Sequence, residues 1–144
     1  YLLHDSQTAQ ISIEKEIQFL EGFIALQKLK TDWEPNITFK ITGSLKGVFL
    51  PPLLFISFFE NLSKHSDLDT NPEAWASIIL DIQPKQITFK MENTVRQATS
   101  LSVQSGLGLR NTKQRLELIY PDRHTFRAEM SSEFTYGATV IIQI

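Results

Sequence analysis

The stretch PPLLFISFFENLSKHS, residues 51–66, joins a strongly apolar run to an abruptly polar end. Its spacing predicts a helix over residues 52–65, since proline is well tolerated in a first helical turn. Apolar side chains cover most of the circumference of that helix: Leu53, Leu54, Ile56, Phe58, Phe59 and Leu62. A helix that is apolar on nearly all sides is expected to be largely buried.

The polar end of this helix carries four groups that can bind a cation or a phosphate: Glu60, Asn61, Lys64 and His65. Lys64 and His65 lie three and four residues after Asn61, so the three side chains share one face. An amide oxygen suits Mg²⁺, and an ammonium group suits phosphate. Glu60 could hold a metal-bound water or act as a base. The alternative is that a buried helix simply becomes polar where it meets solvent.

A second stretch, SGLGLRN, covers residues 105–111 and precedes a helix predicted from about Leu109 to Ile119. Gly106 and Gly108 allow a close backbone approach to a ligand, and free N–H groups at a helix start attract phosphate. The alternative is a flexible turn with a glycine hinge. The stretch is neither a Walker A loop nor a dinucleotide fingerprint, because the lysine and the glycine spacing differ from both.

Bulk properties restrict the class of protein. The 144 residues suit one domain with a real core, and the absence of cysteine excludes disulfides and thiolate metal sites. A net charge of -2 argues against a general nucleic-acid binder. No apolar run is long enough to cross a bilayer. The chain begins without methionine and in mid-element, so we expect it to be a fragment of a longer protein.

The periodicities predict three helices and five strands. An amphipathic helix over 12–30 has Ser12 as its expected N-cap. Strands are predicted over 36–42, 75–82, 86–92, 125–131 and 138–144. The order helix, strand, helix, two strands, helix, two strands predicts an α/β (α+β) two-layer sandwich, with one mixed sheet covered on one face by helices.

The two stretches, in this order, resemble the ATP-binding domain of sensor histidine kinases, within the gyrase, Hsp90, histidine kinase and MutL superfamily. More narrowly, the chain resembles the LytS-like kinases of the Bacteroidetes type. Those typically show PPLLLQPLVENAIKHG and GIGLKNVKKRLELLYP, where this chain has PPLLFISFFENLSKHS and GLGLRNTKQRLELIYP. The resemblance covers essentially the whole chain. It implies a Bergerat-type ATP-binding fold preceded by an N-terminal helix.

The resemblance also implies a division of the chain. Residues 1–33 would be the end of the phospho-acceptor and dimerisation region with its connecting helix, because ISIEKEIQFLEGFIALQKLK looks like the helix that joins acceptor and ATPase domains. Residues 34–144 would be the histidine-kinase-like ATPase domain.

Site roles follow by resemblance, position by position. Asn61 matches the Mg²⁺ ligand of the N box, and Glu60 matches the neighbouring acid that helps to activate the attacking imidazole. Lys64 and His65 match residues near the phosphates.

The remaining matches lie in the second half of the chain. Gly106 and Gly108 match the glycine box that closes the ATP lid. Leu109 is expected to contact the nucleotide, and Asn111 begins the helix whose N-terminus faces the phosphates. Thr139 matches the strand threonine near the adenine.

One departure concerns Asn93, in KMENTVRQ, which stands where most histidine kinases carry the aspartate that binds the adenine amino group. No glycine follows it. Asparagine keeps an acceptor oxygen. A charged acceptor contributes about 1.5–3 kcal/mol against about 1 for a neutral one, so ATP is expected to bind roughly tenfold more weakly. The alternative is that Asn93 is an ordinary turn residue at the end of a strand.

The implied activity is transfer of the γ-phosphoryl group of Mg-ATP to a histidine on the phospho-acceptor helix of the same kinase dimer, for relay to a response regulator. The acceptor motif, similar to PHFLFN, is absent; His4 and His124 are read as incidental, so the fragment cannot autophosphorylate alone. By resemblance the parent is a bacterial inner-membrane protein with this part in the cytoplasm.

Two other functions stay open. One is a degenerate, non-catalytic module for dimerisation or protein interaction. The other is a different ATPase of the superfamily, such as an anti-sigma-factor serine kinase, which the long EKEIQFLEGFIALQKLK helix disfavours.

Overall fold

Three helices and seven strands form the parts of the chain that the structure, a computed structural model, describes: residues 9–95 and 107–144. His4 lies outside the described residues. The helices are α1 (Ile13–Lys28), α2 (Ile56–His65) and α3 (Leu107–Ile119). The strands are β1 (Ile11–Ser12), β2 (Asn36–Gly43), β3 (Phe49–Leu50), β4 (Trp75–Gln83), β5 (Gln86–Thr94), β6 (His124–Met130) and β7 (Thr135–Gln143).

Five of the strands form one mixed sheet in the order β2-β4-β5-β7-β6. β2 and β4 are parallel, and every other neighbouring pair is antiparallel. The two-residue strands β1 and β3 pair separately, with Ile11 opposite Leu50. β4 and β5 form a hairpin that turns at Pro84 and Lys85. The mixed sheet predicted from the element order is therefore confirmed.

The helices cover one face of the sheet. Alternate residues of the three central strands are buried: Ala76, Ile78, Leu80 and Ile82 on β4, Ile87, Phe89, Met91 and Asn93 on β5, and Tyr136, Ala138, Val140 and Ile142 on β7. The residues between them are half-buried or exposed. Phe55 lies parallel to Phe89, with ring centroids 4.5 Å apart. This arrangement confirms the two-layer sandwich.

Helix α1 follows the sequence prediction closely. The Ser12 side chain caps it by accepting a hydrogen bond from the Lys15 amide at 3.3 Å. Its buried stripe, Ile13, Ile17, Leu20 and Ile24, belongs to the same hydrophobic cluster as the sheet. Packing against the sheet, and not helix propensity alone, therefore holds α1 in place.

Helix α2 begins later than predicted, at Ile56, so the expected proline in its first turn is wrong. Leu53 has a φ of 58°, which a continuing right-handed helix does not permit. The buried carboxylate of Glu16 accepts hydrogen bonds from the amides of Leu53, at 2.8 Å, and Phe55, at 3.2 Å. These contacts stabilise a turn before the helix in place of a first helical turn.

Arg115 completes this turn from the opposite side. Its guanidinium donates to the carbonyl oxygens of Pro52, at 3.1 Å, and Leu53, at 3.3 Å. Glu16 is 0% exposed, and burial raises its pKa despite the backbone amides and the Arg115 charge, which lower it. Glu16 and Arg115 thus join α1, α2 and α3 at one point.

Two further boundaries differ from the prediction. Helix α3 begins at Leu107, so Gly108 lies in its first turn and not in the preceding loop. Strand β7 begins at Thr135, three residues before the predicted start at 138. Tyr136, on the added segment, faces the core, where a strand boundary at 138 would have left it in a turn.

Replacing Glu16 with alanine is expected to lower the free energy of unfolding by about 3 kcal/mol, because the buried amide of Phe55 and the partly buried amide of Leu53 lose their acceptor. Glu21→Ala, at an exposed position of the same helix, should change it by less than about 0.5 kcal/mol. Urea denaturation followed by circular dichroism measures both. Since the raised pKa makes ionisation costly in the folded state, the Glu16→Ala difference should shrink as pH rises above 4.5. Equal effects of the two changes would contradict this account.

Gly43→Ala is expected to destabilise the fold by about 2 kcal/mol or more. Gly43 has a φ of +91°, and a Cβ there would lie 1.7 Å from the carbonyl oxygen of Ile82 on the neighbouring strand. Gly22→Ala is the matched control, because a Cβ on this exposed helical position meets nothing within 4 Å. It should stabilise the protein by about 0.5–1 kcal/mol. Thermal unfolding measures the melting temperatures of both variants. An unchanged melting temperature in Gly43→Ala would refute the predicted clash.

Candidate functional site

The polar end of α2, defined as Glu60, Asn61, Lys64 and His65, lies over the Asn93 end of strand β5. Early in the helix, Phe58 packs on Phe89, with ring centroids 5.2 Å apart. Directly after the helix, Ser66 forms a β-bridge with Val95. The helix therefore runs along β5 from Phe89 towards Val95. The apolar part of α2 is packed on the sheet, and its last turns reach the sheet edge at Asn93.

A buried acid fixes the end of α2 in this position. The Asp67 carboxylate accepts hydrogen bonds from Thr94 Oγ1, at 2.7 Å, and from Asn71 Nδ2, at 3.1 Å. The amide of Trp75 in turn donates to Thr94 Oγ1 at 3.2 Å. This network connects the segment after α2 to the ends of β4 and β5, so the polar end cannot move freely relative to Asn93.

The start of α3 lies beside the polar end of α2. The two helices pack together, and Arg115 of α3 contacts the turn before α2. Leu107 is about 12 Å from Arg115 along the helix axis, at a rise of 1.5 Å per residue. The other end of α3, at Ile119, lines the same cavity as Gly43, at the end of the sheet away from the polar end of α2. The helices are consequently antiparallel, and the N-terminus of α3 is roughly level with Asn61.

Asn93 forms the floor of the site. It is only 4% exposed and stands opposite Ala76 and Tyr136 in the sheet. Its Nδ2 donates to the Thr94 carbonyl at 3.0 Å, which leaves Oδ1 as an acceptor. Asn93 therefore belongs to a strand and faces the helices, so the sequence alternative of a turn residue does not apply.

The structure thus brings several predicted residues to one end of the sheet. Asn61 and His65 are half-buried, whereas Glu60 and Lys64 are exposed at the end of α2. Gly108 lies in the first turn of α3.

Three other predicted residues belong to α3 or to the segment before it. Asn111 was predicted to begin α3. It lies instead in the second turn of the helix, with an exposed side chain. Leu109 is buried and belongs to the hydrophobic cluster. Gly106 lies outside the described residues.

Thr139 is not brought to the site, which corrects the prediction made by resemblance. It stands between Lys90 and Arg127 in the sheet, on the face without helices. Side chains alternate along a strand, so its neighbour Ala138 is the residue that faces the helices. The alternation of Tyr136, Ala138, Val140 and Ile142 in the sequence contains this information, but the motif comparison was placed one residue off.

Tyr136 lies next to Asn93 in the sheet, and the sequence did not single it out as a candidate site residue. It is 6% exposed, pairs directly with Asn93, and its hydroxyl has no hydrogen-bond partner among the described residues. Burial raises the pKa of this hydroxyl, so it stays protonated at neutral pH. The signal in the sequence was its position two residues before Ala138 on the buried side of the last strand.

His65 is biased towards its neutral form. Partial burial lowers its pKa below the usual 6.5, and the nearby Lys64 charge lowers it further. A neutral imidazole at physiological pH can both donate and accept hydrogen bonds. A bound anion would oppose both effects on His65.

The donor set restricts what metal chemistry is possible. Within residues 9–95 and 107–144, no three or more acidic or histidine side chains cluster so as to hold a metal ion. A cation at Asn61 would therefore take most of its ligands from phosphate oxygens or water, as Mg²⁺ commonly does. The arrangement fits Mg²⁺ bound together with a phosphate ligand.

None of the helices in the described ranges has the length and apolarity to cross a membrane.

A cavity of about 820 Å³ lies at the other end of the molecule, around Gly43, Lys46, Pro84, Tyr120 and Arg123. It contains none of the polar end of α2. Arg123, its best-placed cation, already donates to the Gln143 carbonyl at 3.0 Å. We therefore place the candidate site at the Asn93 end of the sheet.

No protein-family model and no curated protein matches this chain. Solved structures do match. The catalytic domain of histidine kinase ThkA is 11% identical over 94% of this chain and 95% of its own, with a TM-score of 0.61. The histidine kinase domain of the blue-light activated kinase EL346 from Erythrobacter litoralis is 12% identical over 88% of this chain and 58% of its own, with a TM-score of 0.61.

The Acinetobacter baumannii histidine kinase AdeS is 14% identical over 92% of this chain and 62% of its own, with a TM-score of 0.55. At such identities the likeness establishes the fold alone. The chain has the fold of histidine kinase catalytic domains, and it spans about three-fifths of the EL346 and AdeS chains (58% and 62%).

Lys64→Met is expected to raise the pKa of His65, though not fully to 6.5, because burial is the larger cause of its depression. Lys46→Met, at the other end of the sheet, should leave it unchanged. NMR titration of the imidazole resonances measures this, with His65→Gln providing the assignment. Because the unfolded chain binds this proton more readily, His65 should also make the protein less stable as pH falls below 6.5. An unchanged pKa in Lys64→Met would contradict the assigned electrostatics.

Proposed function

We propose that this chain is the ATP-binding catalytic domain of a LytS-like two-component sensor histidine kinase. The observation that carries the proposal is the convergence of three distant segments at one end of the sheet. These are the Asn61 face of α2, the Asn93 end of β5 and the first turn of α3. Each supplies a different kind of group: an amide oxygen with a cation, a buried acceptor, and free backbone N–H groups.

These groups suit the parts of Mg-ATP. The N-terminus of a helix carries a partial positive charge and unpaired N–H donors, so the first turn of α3 suits phosphate. Lys64 adds a full charge on the facing helix, and His65 adds a hydrogen-bond donor. Asn61 would hold the Mg²⁺, which neutralises phosphate charge when bound. Asn93 Oδ1 would accept a hydrogen bond from the adenine amino group.

Glu60 is exposed at the outer side of this site. An exposed carboxylate can meet a group supplied by another helix, whereas a buried one cannot. We assign Glu60 the role of orienting and deprotonating the histidine that attacks the γ-phosphate. Positioning and charge stabilisation would supply most of the rate enhancement.

The wider role of the parent protein is part of the proposal. The phosphoryl group would pass to a histidine on the phospho-acceptor helix of the same kinase dimer, and from there to a response regulator. Residues 34–144 would be the ATPase domain, and residues 1–33 would connect it to the acceptor region. The parent would be an inner-membrane protein with this portion in the cytoplasm.

A second candidate is a non-catalytic relative that serves dimerisation or protein interaction. The observation that favours it is the end of β5, where Asn93 replaces the usual aspartate and no glycine box follows. The location of Asn93, buried and facing the helices beside the polar end of α2, favours retained nucleotide binding.

Calorimetric titration with Mg-AMP-PNP separates the two candidates. Binding should be detectable at millimolar ligand and should weaken at least tenfold in Asn61→Ala, because the cation loses its protein ligand. Asn36→Ala is the matched control, since Asn36 is exposed at the start of the edge strand β2. In the full-length kinase, Asn61→Ala should abolish Mg²⁺-dependent phosphorylation. Absence of nucleotide binding by the unmodified chain would refute the kinase proposal.

A further inference from the structure

The Tyr136 hydroxyl is a buried polar group left without a partner by the described residues, and it lies beside the candidate site. We infer that Tyr136 is a base-recognition residue: its hydroxyl donates a hydrogen bond to a ring nitrogen of the bound adenine, alongside Asn93. The inference rests on the proposed function, and it deepens it by naming a residue that selects the base.

An unpaired buried hydroxyl calls for an explanation, because such groups nearly always have a protein or water partner. A tyrosine whose only role was packing would leave its hydroxyl at the surface or bonded within the core. In this chain the ring belongs to the hydrophobic cluster, yet the hydroxyl is desolvated and forms no hydrogen bond with any residue that the structure describes. A ligand that supplies an acceptor at this point would satisfy it.

The position of Tyr136 connects it to the rest of the site. It stands directly opposite Asn93, and paired side chains in a sheet have Cβ atoms about 4.5–5.5 Å apart. On its other side lies Met130 of β6. Tyr136 is six residues, or about 20 Å of strand, from Ile142, which lies level with His124 near the end of α3. It therefore lies beneath the first turns of α3.

The chemistry of the pair matches adenine and not guanine. Adenine offers an amino donor next to the ring acceptor N1. Asn93 Oδ1 is an acceptor, and the Tyr136 hydroxyl, whose raised pKa keeps it protonated, is a donor. Guanine presents the opposite pattern on this edge, a carbonyl acceptor next to an N1–H donor, so Asn93 Oδ1 would meet an acceptor.

Tyr136→Phe tests the inference, with Tyr120→Phe as the matched control. Both tyrosines are 6% exposed, but Tyr120 follows α3 at the other end of the sheet. In Tyr136→Phe the affinity for Mg-AMP-PNP should fall about five- to tenfold. The melting temperature of the nucleotide-free chain should stay the same or rise, because the hydroxyl forms no hydrogen bond with the described residues that the substitution would remove. Tyr120→Phe should bind AMP-PNP as the unmodified chain does.

A ligand variant identifies the atom concerned. Replacing N1 of the base by carbon, in 1-deaza-ATP, should weaken binding to the unmodified chain by the same factor and weaken binding to Tyr136→Phe no further. Unchanged AMP-PNP affinity in Tyr136→Phe, with binding intact in the unmodified chain, would overturn the inference and leave the proposed function standing. A lower melting temperature without a change in affinity would also overturn it. If the unmodified chain binds no adenine nucleotide, both fail together.

Discussion

The hydrogen bonds from Glu16 to the turn before α2 are the contacts on which the rest of the molecule depends. A carboxylate withdrawn from water costs free energy unless it is well paired, and here the backbone amides of Leu53 and Phe55 pair it. Arg115 holds the carbonyls of the same turn. Three helices are thereby fixed at one point. Because the turn fixes where α2 begins, it also fixes where the polar end of α2 comes to lie, and α3 is set antiparallel beside it.

From this point the site follows by packing. Phe58 of α2 and Phe55, directly before the helix, both contact Phe89 of β5, so the apolar part of α2 lies on this strand. Asp67 then secures the far end of the helix to Thr94. The groups of the candidate site are therefore fixed in two ways. Asn93 is held by strand pairing in the sheet, and the polar end of α2 belongs to a helix that is anchored at both ends. Such anchoring favours preorganised recognition of a ligand over recognition by loop closure alone.

The sequence was informative where the controlling interactions are local. The N-cap of α1 and the positions of strands β4 and β5 depend on neighbouring residues, and both were predicted correctly. The start of α2 was not, because the positive φ of Leu53 depends on Glu16, 37 residues earlier. Thr139 was assigned to the site by its position in a motif. In a strand, alternate side chains lie on opposite faces of the sheet, and Thr139 lies on the face without helices. The pairing of Tyr136 with Asn93 depends on the register between β7 and β5, which the sequence of a single strand does not specify.

The burial of Glu16 has a practical consequence for any attempt to shorten the protein. A fragment that starts at residue 34 would lack both the acceptor for the amides of Leu53 and Phe55 and the apolar stripe of α1 that lies against the sheet. Such a fragment would expose apolar core side chains to solvent. It would also leave the Arg115 guanidinium without the nearby Glu16 carboxylate. The boundary useful for recombinant work therefore lies upstream of Ile11, in the strand that pairs with Leu50, even though the residues of the candidate site all lie beyond residue 59.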